Sequence, residues 1–290
     1  MTRNLTLTVT LAAACLGGRL FAQPQAPPLT VEPVRGGMYL VKGGSGANTA
    51  FLVGKTSVTV IDSKMTEEST KAVLAEIRKV TPNPVRQIIL THSDGDHVNG
   101  LNGFPRGLPI TAHANTRKDM EEAFKDPKMG ALTPYLPGET ITGDKTIDAD
   151  GVRVDLLHFG PAHTSGDLVV FLPQQKIAFA GDLLFVGRDP LIHRQKGGSS
   201  LGLAQTLKRM LALDADVFLS GHNDPMNKDQ IKTLLASIEE KQAKVKALAE
   251  HGRSLDEIRQ AMGVAAAPGG QSPRFPSLVE IIYQEVTAKP

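Results

Sequence analysis

The sequence predicts an α/β domain built as two packed β-sheets flanked by helices, and two observations carry that reading. In each half of the chain, short β-favouring runs are followed by segments of helical period, with no internal repeat. Several of the strand-like runs also end in polar loops that hold histidine and aspartate. The densest of these is Thr91-His92-Ser93-Asp94-Gly95-Asp96-His97-Val98, directly after the apolar run Val85 to Leu90. With 290 residues, 41% of them hydrophobic, the chain can bury a full core.

Val31 to Val34, Met38 to Lys42, Ala50 to Val53 and Ser57 to Ile61 are β-favouring runs separated by Gly-containing turns, the pattern of an antiparallel meander. Thr66 to Val80 changes period. Ala72, Leu74, Ile77 and Val80 recur at roughly helical spacing and the pattern stops at Thr81-Pro82. Val85 to Leu90 is a continuous strand of the buried kind. In the second half Pro109 to Ala112, Gly151 to His158, Leu168 to Leu172, Lys176 to Ala180 and Val217 to Leu219 read as strands. Ala114 to Phe124, Leu201 to Leu213, Lys228 to His251, Ser254 to Met262 and Pro276 to Val286 read as helices.

The N-terminus has the form of a secretory signal over residues 1–22: Arg3, then the apolar stretch Leu5 to Leu16, then Leu20-Phe21-Ala22 before Gln23. A Pro-rich linker occupies 23–30, and one domain is expected over 31–290. The apolar stretch is too short for an ordinary transmembrane span, and no later one is long enough, so a periplasmic or secreted protein without stable membrane insertion is expected. Cys15 is the only cysteine. Cleavage after Ala22 would remove it and exclude disulfides and thiolate ligands; the rival reading is a lipoprotein anchored through Cys15. Loss of residues 1–22 also removes Arg3 and Arg19 and no acids, which turns the formal charge of +2 into an even balance of 30 basic and 30 acidic residues. With that balance and 4% aromatics, nothing points to a nucleic-acid groove.

Four strand ends present ligand-type residues: the first cluster, Gly160-Pro161-Ala162-His163-Thr164-Ser165-Gly166-Asp167, Ala180-Gly181-Asp182, and Ser220-Gly221-His222. Imidazole and carboxylate donors in such an array suit divalent metal ions. Together the four motifs resemble the metallo-β-lactamase fold superfamily, whose usual pattern is Thr-His-x-His-x-Asp-His followed by His, Asp and His at later strand ends. The intervals of 66, 18 and 39 residues separating Asp96, His163, Asp182 and His222 fit. The resemblance implies an αββα sandwich of two mixed sheets flanked by helices. It also implies a binuclear centre: His92, Asp94 and His163 at site one, Asp96, His97 and His222 at site two, and Asp182 between them. Asp62 would support the ligand loop. Two divalent ions, zinc foremost, would hold and activate a hydroxide, with Asp96 as the catalytic group that orients it.

This chain departs from the pattern at Asp94, giving a His-x-Asp-x-Asp-His variant. An aspartate in the histidine position makes the centre one unit less positive and reaches less far. The expectation is a harder or partly empty site one, better suited to iron or manganese, with Asp94 bound directly or through water. The implied activity is hydrolysis of a small-molecule carboxylic ester, thioester, lactone or β-lactam amide. The alternatives are a metal-dependent phosphoesterase and a non-catalytic metal- or ligand-binding protein with a decayed site. His113, His158, His193 and His251 read as structural or solvated. The loop after Asp182, with Arg188, His193, Arg194 and Lys196, reads either as a plain solvated loop or as one that places a cation over an anionic substrate.

Overall fold

A computed structural model describes residues 26–264 and 275–288; the expected signal segment, including Cys15, lies outside the described residues. Strands β1 (Thr30–Arg35), β2 (Met38–Lys42), β3 (Thr49–Val53) and β4 (Val58–Ile61) form the antiparallel meander. Helix α1 (Glu67–Val80) then carries the chain over to β5 (Val85–Ile89), which runs parallel to β4. Its start is fixed by the Thr66 side chain, which accepts from Ser69 N, and Thr81 ends it in extended conformation. After the short helix α2 (Gly95–Val98), β6 (Ile110–His113), α3 (Ala114–Ala123) and β7 (Glu139–Ile141) complete a seven-stranded mixed sheet in the order β1 to β7.

The second sheet has five strands: β8 (Lys145–Asp148), β9 (Arg153–Leu157), β10 (Val169–Leu172), β11 (Ile177–Phe179) and β12 (Val217–Leu219). The first four pair antiparallel; β12 returns parallel to β11 after helix α4 (Ser200–Ala212). Helices α5 (Lys228–Glu250), α6 (Leu255–Ala261) and α7 (Leu278–Thr287) follow. The strand expected over Gly151 to His158 is the shorter β9, and β7 and β8 occupy a stretch for which the sequence pattern predicts no element.

Alternation along the strands explains the layering. In β3, Ala50 and Leu52 face a core shared with Val154, Leu156, Val170 and Phe179 of the other sheet, while Phe51 faces Val73 and Ile77 of α1. In β10, Val170 and Leu172 enter the same inter-sheet core, while Val169 and Phe171 meet Leu203, Leu207, Ile231 and Ile281 of the second helical layer. Each sheet is therefore apolar on both faces. That demands a second sheet on one side and helices on the other, the two mixed sheets flanked by helices that the sequence predicts.

A candidate binuclear metal centre

The seven predicted ligand residues converge at one edge of the two sheets. Donor atoms of His92, Asp94, His163 and Asp182 lie within 4.8 Å of one another, and so do those of Asp96, His97 and His222. His92 follows β5, Asp96 and His97 sit in α2, His163 follows β9, Asp182 follows β11, and His222 follows β12. Asp182, a member of the first group, also reaches the second: Oδ1 lies 3.1 Å from His97 Nε2 and Oδ2 3.1 Å from His222 Nε2. His222 Nε2 is also 3.2 Å from Asp96 Oδ2.

Hydrogen bonds on the far side of three rings aim them. Thr91 Oγ1 donates to Asp62 Oδ2, so it is free to accept from His92 Nδ1 at 2.9 Å. His97 Nδ1 donates to Asp62 Oδ2 at 2.8 Å, and His163 Nδ1 to the Leu191 carbonyl at 2.7 Å. Each ring thus carries its proton on Nδ1 and turns the Nε2 lone pair inward. His92 Nε2, His97 Nε2 and Asp182 Oδ1 are buried without a hydrogen-bond partner, although isolated buried polar atoms are costly. Three such atoms facing one another, within a set of imidazoles and carboxylates, fit divalent cations of the zinc, iron or manganese kind.

The electrostatics agree. Burial opposes charge throughout the cluster, yet the carboxylates of Asp94 and Asp182 raise His163 to about 9, and those of Asp182 and Asp96 raise His222 to about 9. Burial would likewise depress His97, but Asp182 and Asp62 outweigh it and hold it well above the ordinary histidine range. For Asp182, burial is outweighed by His97 and His222, which keep the carboxyl far below the usual range. Carboxylates and imidazoles thus hold one another in their charged forms, while His92 is driven the other way, by burial and by its neighbours His97 and His163.

Asp62 supports the ligand loop as predicted. It is fully buried, and its carboxylate also accepts from Thr91 N at 2.7 Å. His193, read from sequence as structural or solvated, instead places Nε2 2.7 Å from Asp94 Oδ2. Lys196 lines the cleft with its Nζ 2.7 Å from Asp94 Oδ1, whereas Arg194 pairs with Glu285. His193 precedes and Lys196 ends a single 3-10 turn, Arg194–Lys196, too short for any periodicity to reveal it. Arg188 also lines the cleft, its guanidinium 4.4 Å from the centroid of the Phe185 ring.

The family model of the metallo-beta-lactamase superfamily matches residues 43–222, from just after β2 through His222. The chain belongs to the metallo-beta-lactamase superfamily. Among the chain's relatives, 2,4-dinitroanisole O-demethylase subunit alpha of Nocardioides sp. (strain JS1661) is 26% identical over 68% of this chain and 58% of its own length. The linear primary-alkylsulfatase of Pseudomonas sp. (strain ATCC 19151) is 20% identical over 58% of this chain and 40% of its own. The chain thus spans about half the length of these relatives. The crystal structure of DIM-1 metallo-beta-lactamase superposes with a TM-score of 0.63, at 20% identity, over 74% of this chain and 99% of that one, which establishes the shared fold.

Proposed function

We propose that this superfamily member is a hydrolase of small-molecule carboxylic esters, thioesters, lactones or β-lactam amides that works through two divalent metal ions. The observation that carries the reading is the convergence of seven donor residues at one end of the sheets, three of them with a buried donor atom that has no hydrogen-bond partner. When bound, such ions acidify water and polarise an electrophilic oxygen. The protein's own residues supply the rest. A cleft of about 510 Å³ opens over the centre, lined by Asp94, Asp96, Asp182 and His222 and by the apolar Met65, Phe185 and Leu191. Asp96 lines it directly, where its carboxylate can accept the proton of an attacking water. Export through residues 1–22 is part of the proposal and favours substrates met outside the cytoplasm. Among the described residues no helix is long and apolar enough to cross a membrane.

A second reading, hydrolysis of sulfate monoesters, is supported by the alkylsulfatase relative and by Arg188 at the cleft. Phosphate esters are less well served, because Lys196 and Arg194 are already committed to Asp94 and Glu285. The test is turnover of a chromogenic cephalosporin, an aryl ester, a lactone, a thioester and an aryl sulfate by protein loaded with zinc, manganese or iron. Turnover of at least one that chelation abolishes, and that Asp96→Asn lowers by roughly 100-fold or more, is expected. Silence across the panel with metal bound would instead favour a binding role.

A further inference from the structure

Asp94 is the most heavily contacted donor of the centre. Its Oδ2 faces inward, 3.1 Å from His163 Nε2 and 3.9 Å from His92 Nε2, and its Oδ1 is held by Lys196 Nζ at 2.7 Å. The ammonium is itself fixed, donating to Ser93 O at 3.2 Å and to Ser93 Oγ at 3.1 Å; Ser93 Oγ in turn donates to Asp119 Oδ2 at 3.1 Å. The loop that delivers it is tied to the chain around His163: His193 N donates to His163 O, and Ser165 N donates to Lys196 O. These are contacts of a built structure, not of a wandering surface lysine.

We propose that Asp94 and Lys196 act together as one neutral unit that stands in for the histidine of the usual motif, with His193 as a positioning residue. An imidazole offers a lone pair and no charge. Aspartate offers a lone pair and one negative charge, and an ammonium bound to the opposite oxygen cancels that charge while leaving Oδ2 to the centre. His193 does a different job from the other rings. Gln195 Nε2 donates to its Nδ1 at 3.1 Å, so the proton sits on Nε2 and is donated to Asp94 Oδ2. It therefore orients the carboxylate instead of offering a lone pair. The charge deficit expected from sequence is offset by a residue more than a hundred positions away.

The inference rests on the binuclear reading, and a double-mutant cycle of Asp94→His and Lys196→Met in the full chain tests it. The readouts are zinc stoichiometry, site-one affinity by chelator competition, and the visible spectrum of the cobalt-substituted protein. Asp94→His alone leaves an uncompensated ammonium beside a dication and takes the shared acceptor from Lys196 and His193. Its site-one affinity is expected to fall at least about tenfold, and adding Lys196→Met should recover most of that loss. Lys196→Arg, which keeps a positive charge against Asp94, should retain site one with a higher affinity than Lys196→Met. Independent effects of the two substitutions, an Asp94→His protein that binds zinc as tightly as wild type, or loss of site one in Lys196→Arg would each overturn the pairing. A wild-type protein that takes up only one ion would remove the binuclear reading itself, and the pairing with it.

Discussion

At the scale of single residues, the centre depends as much on groups behind the ligands as on the ligands. Asp62 adopts a left-handed backbone (φ 61°), an uncommon conformation for a non-glycine residue, and its two oxygens accept from Thr91 N, Thr91 Oγ1 and His97 Nδ1. Asp62→Asn would set an amide donor against one of those donors. Site-two metal affinity should then fall roughly 10- to 100-fold, measured by chelator competition; unchanged affinity would show that His97 is oriented by something else. His113 illustrates a histidine with a purely structural task. Its Nδ1 accepts from Asn115 N and caps α3, and burial beside the stacked His158 ring lowers it to about 4. Its folded value is below the ordinary 6.5, so the unfolded chain takes up a proton that the folded chain refuses between pH 6.5 and 4. The stability involved is complete above pH 6.5 and is lost as pH falls toward 4. Asn caps helices well and does not titrate, so urea unfolding of His113→Asn should lose less stability than wild type over that window; parallel pH curves would contradict this.

At the scale of elements, strand ends bring the donors together, and close backbone approach lets them meet. A Cβ on Gly221, at the end of β12, would overlap Asp182 Oδ1 and come 2.7 Å from His97 Cε1. Gly221→Ala should therefore displace the ligands it touches, lowering metal stoichiometry measured by elemental analysis while the circular dichroism of the fold persists; full occupancy would contradict the geometry. Sequence periodicity reveals the strands that are buried on both faces, such as β3 and β10, because their apolar runs are continuous. It does not reveal β7 or β8. These edge strands are short and mostly exposed, and β8, Lys145–Asp148, holds a single apolar residue, Ile147. The ligand motifs are legible because each is compact and follows a recognisable strand. The loop of His193 and Lys196 is not, because its role arises only when the segments that follow β5 and β11 bring residues 94 and 196 to the same place.

At the scale of the whole molecule, two sheets with apolar inner and outer faces form the frame, and at one edge of it three buried polar atoms without partners, His92 Nε2, His97 Nε2 and Asp182 Oδ1, face one another. That edge gathers His92, His97, His163 and His222 around three carboxylates, a buried charge pattern that costs stability unless cations fill it. Metal ions that bind the folded chain alone should stabilise it by about 3 kcal/mol at a hundredfold excess over Kd, so chelation should lower Tm reversibly; an unchanged Tm would place the ions elsewhere. The account stands most directly on the location of the metal. Anomalous diffraction at the zinc edge from crystals of the loaded protein should give two peaks roughly 3.5–4 Å apart, one against His92, Asp94 and His163, the other against Asp96, His97 and His222. A single peak, or none beside His92 and His163, would contradict it.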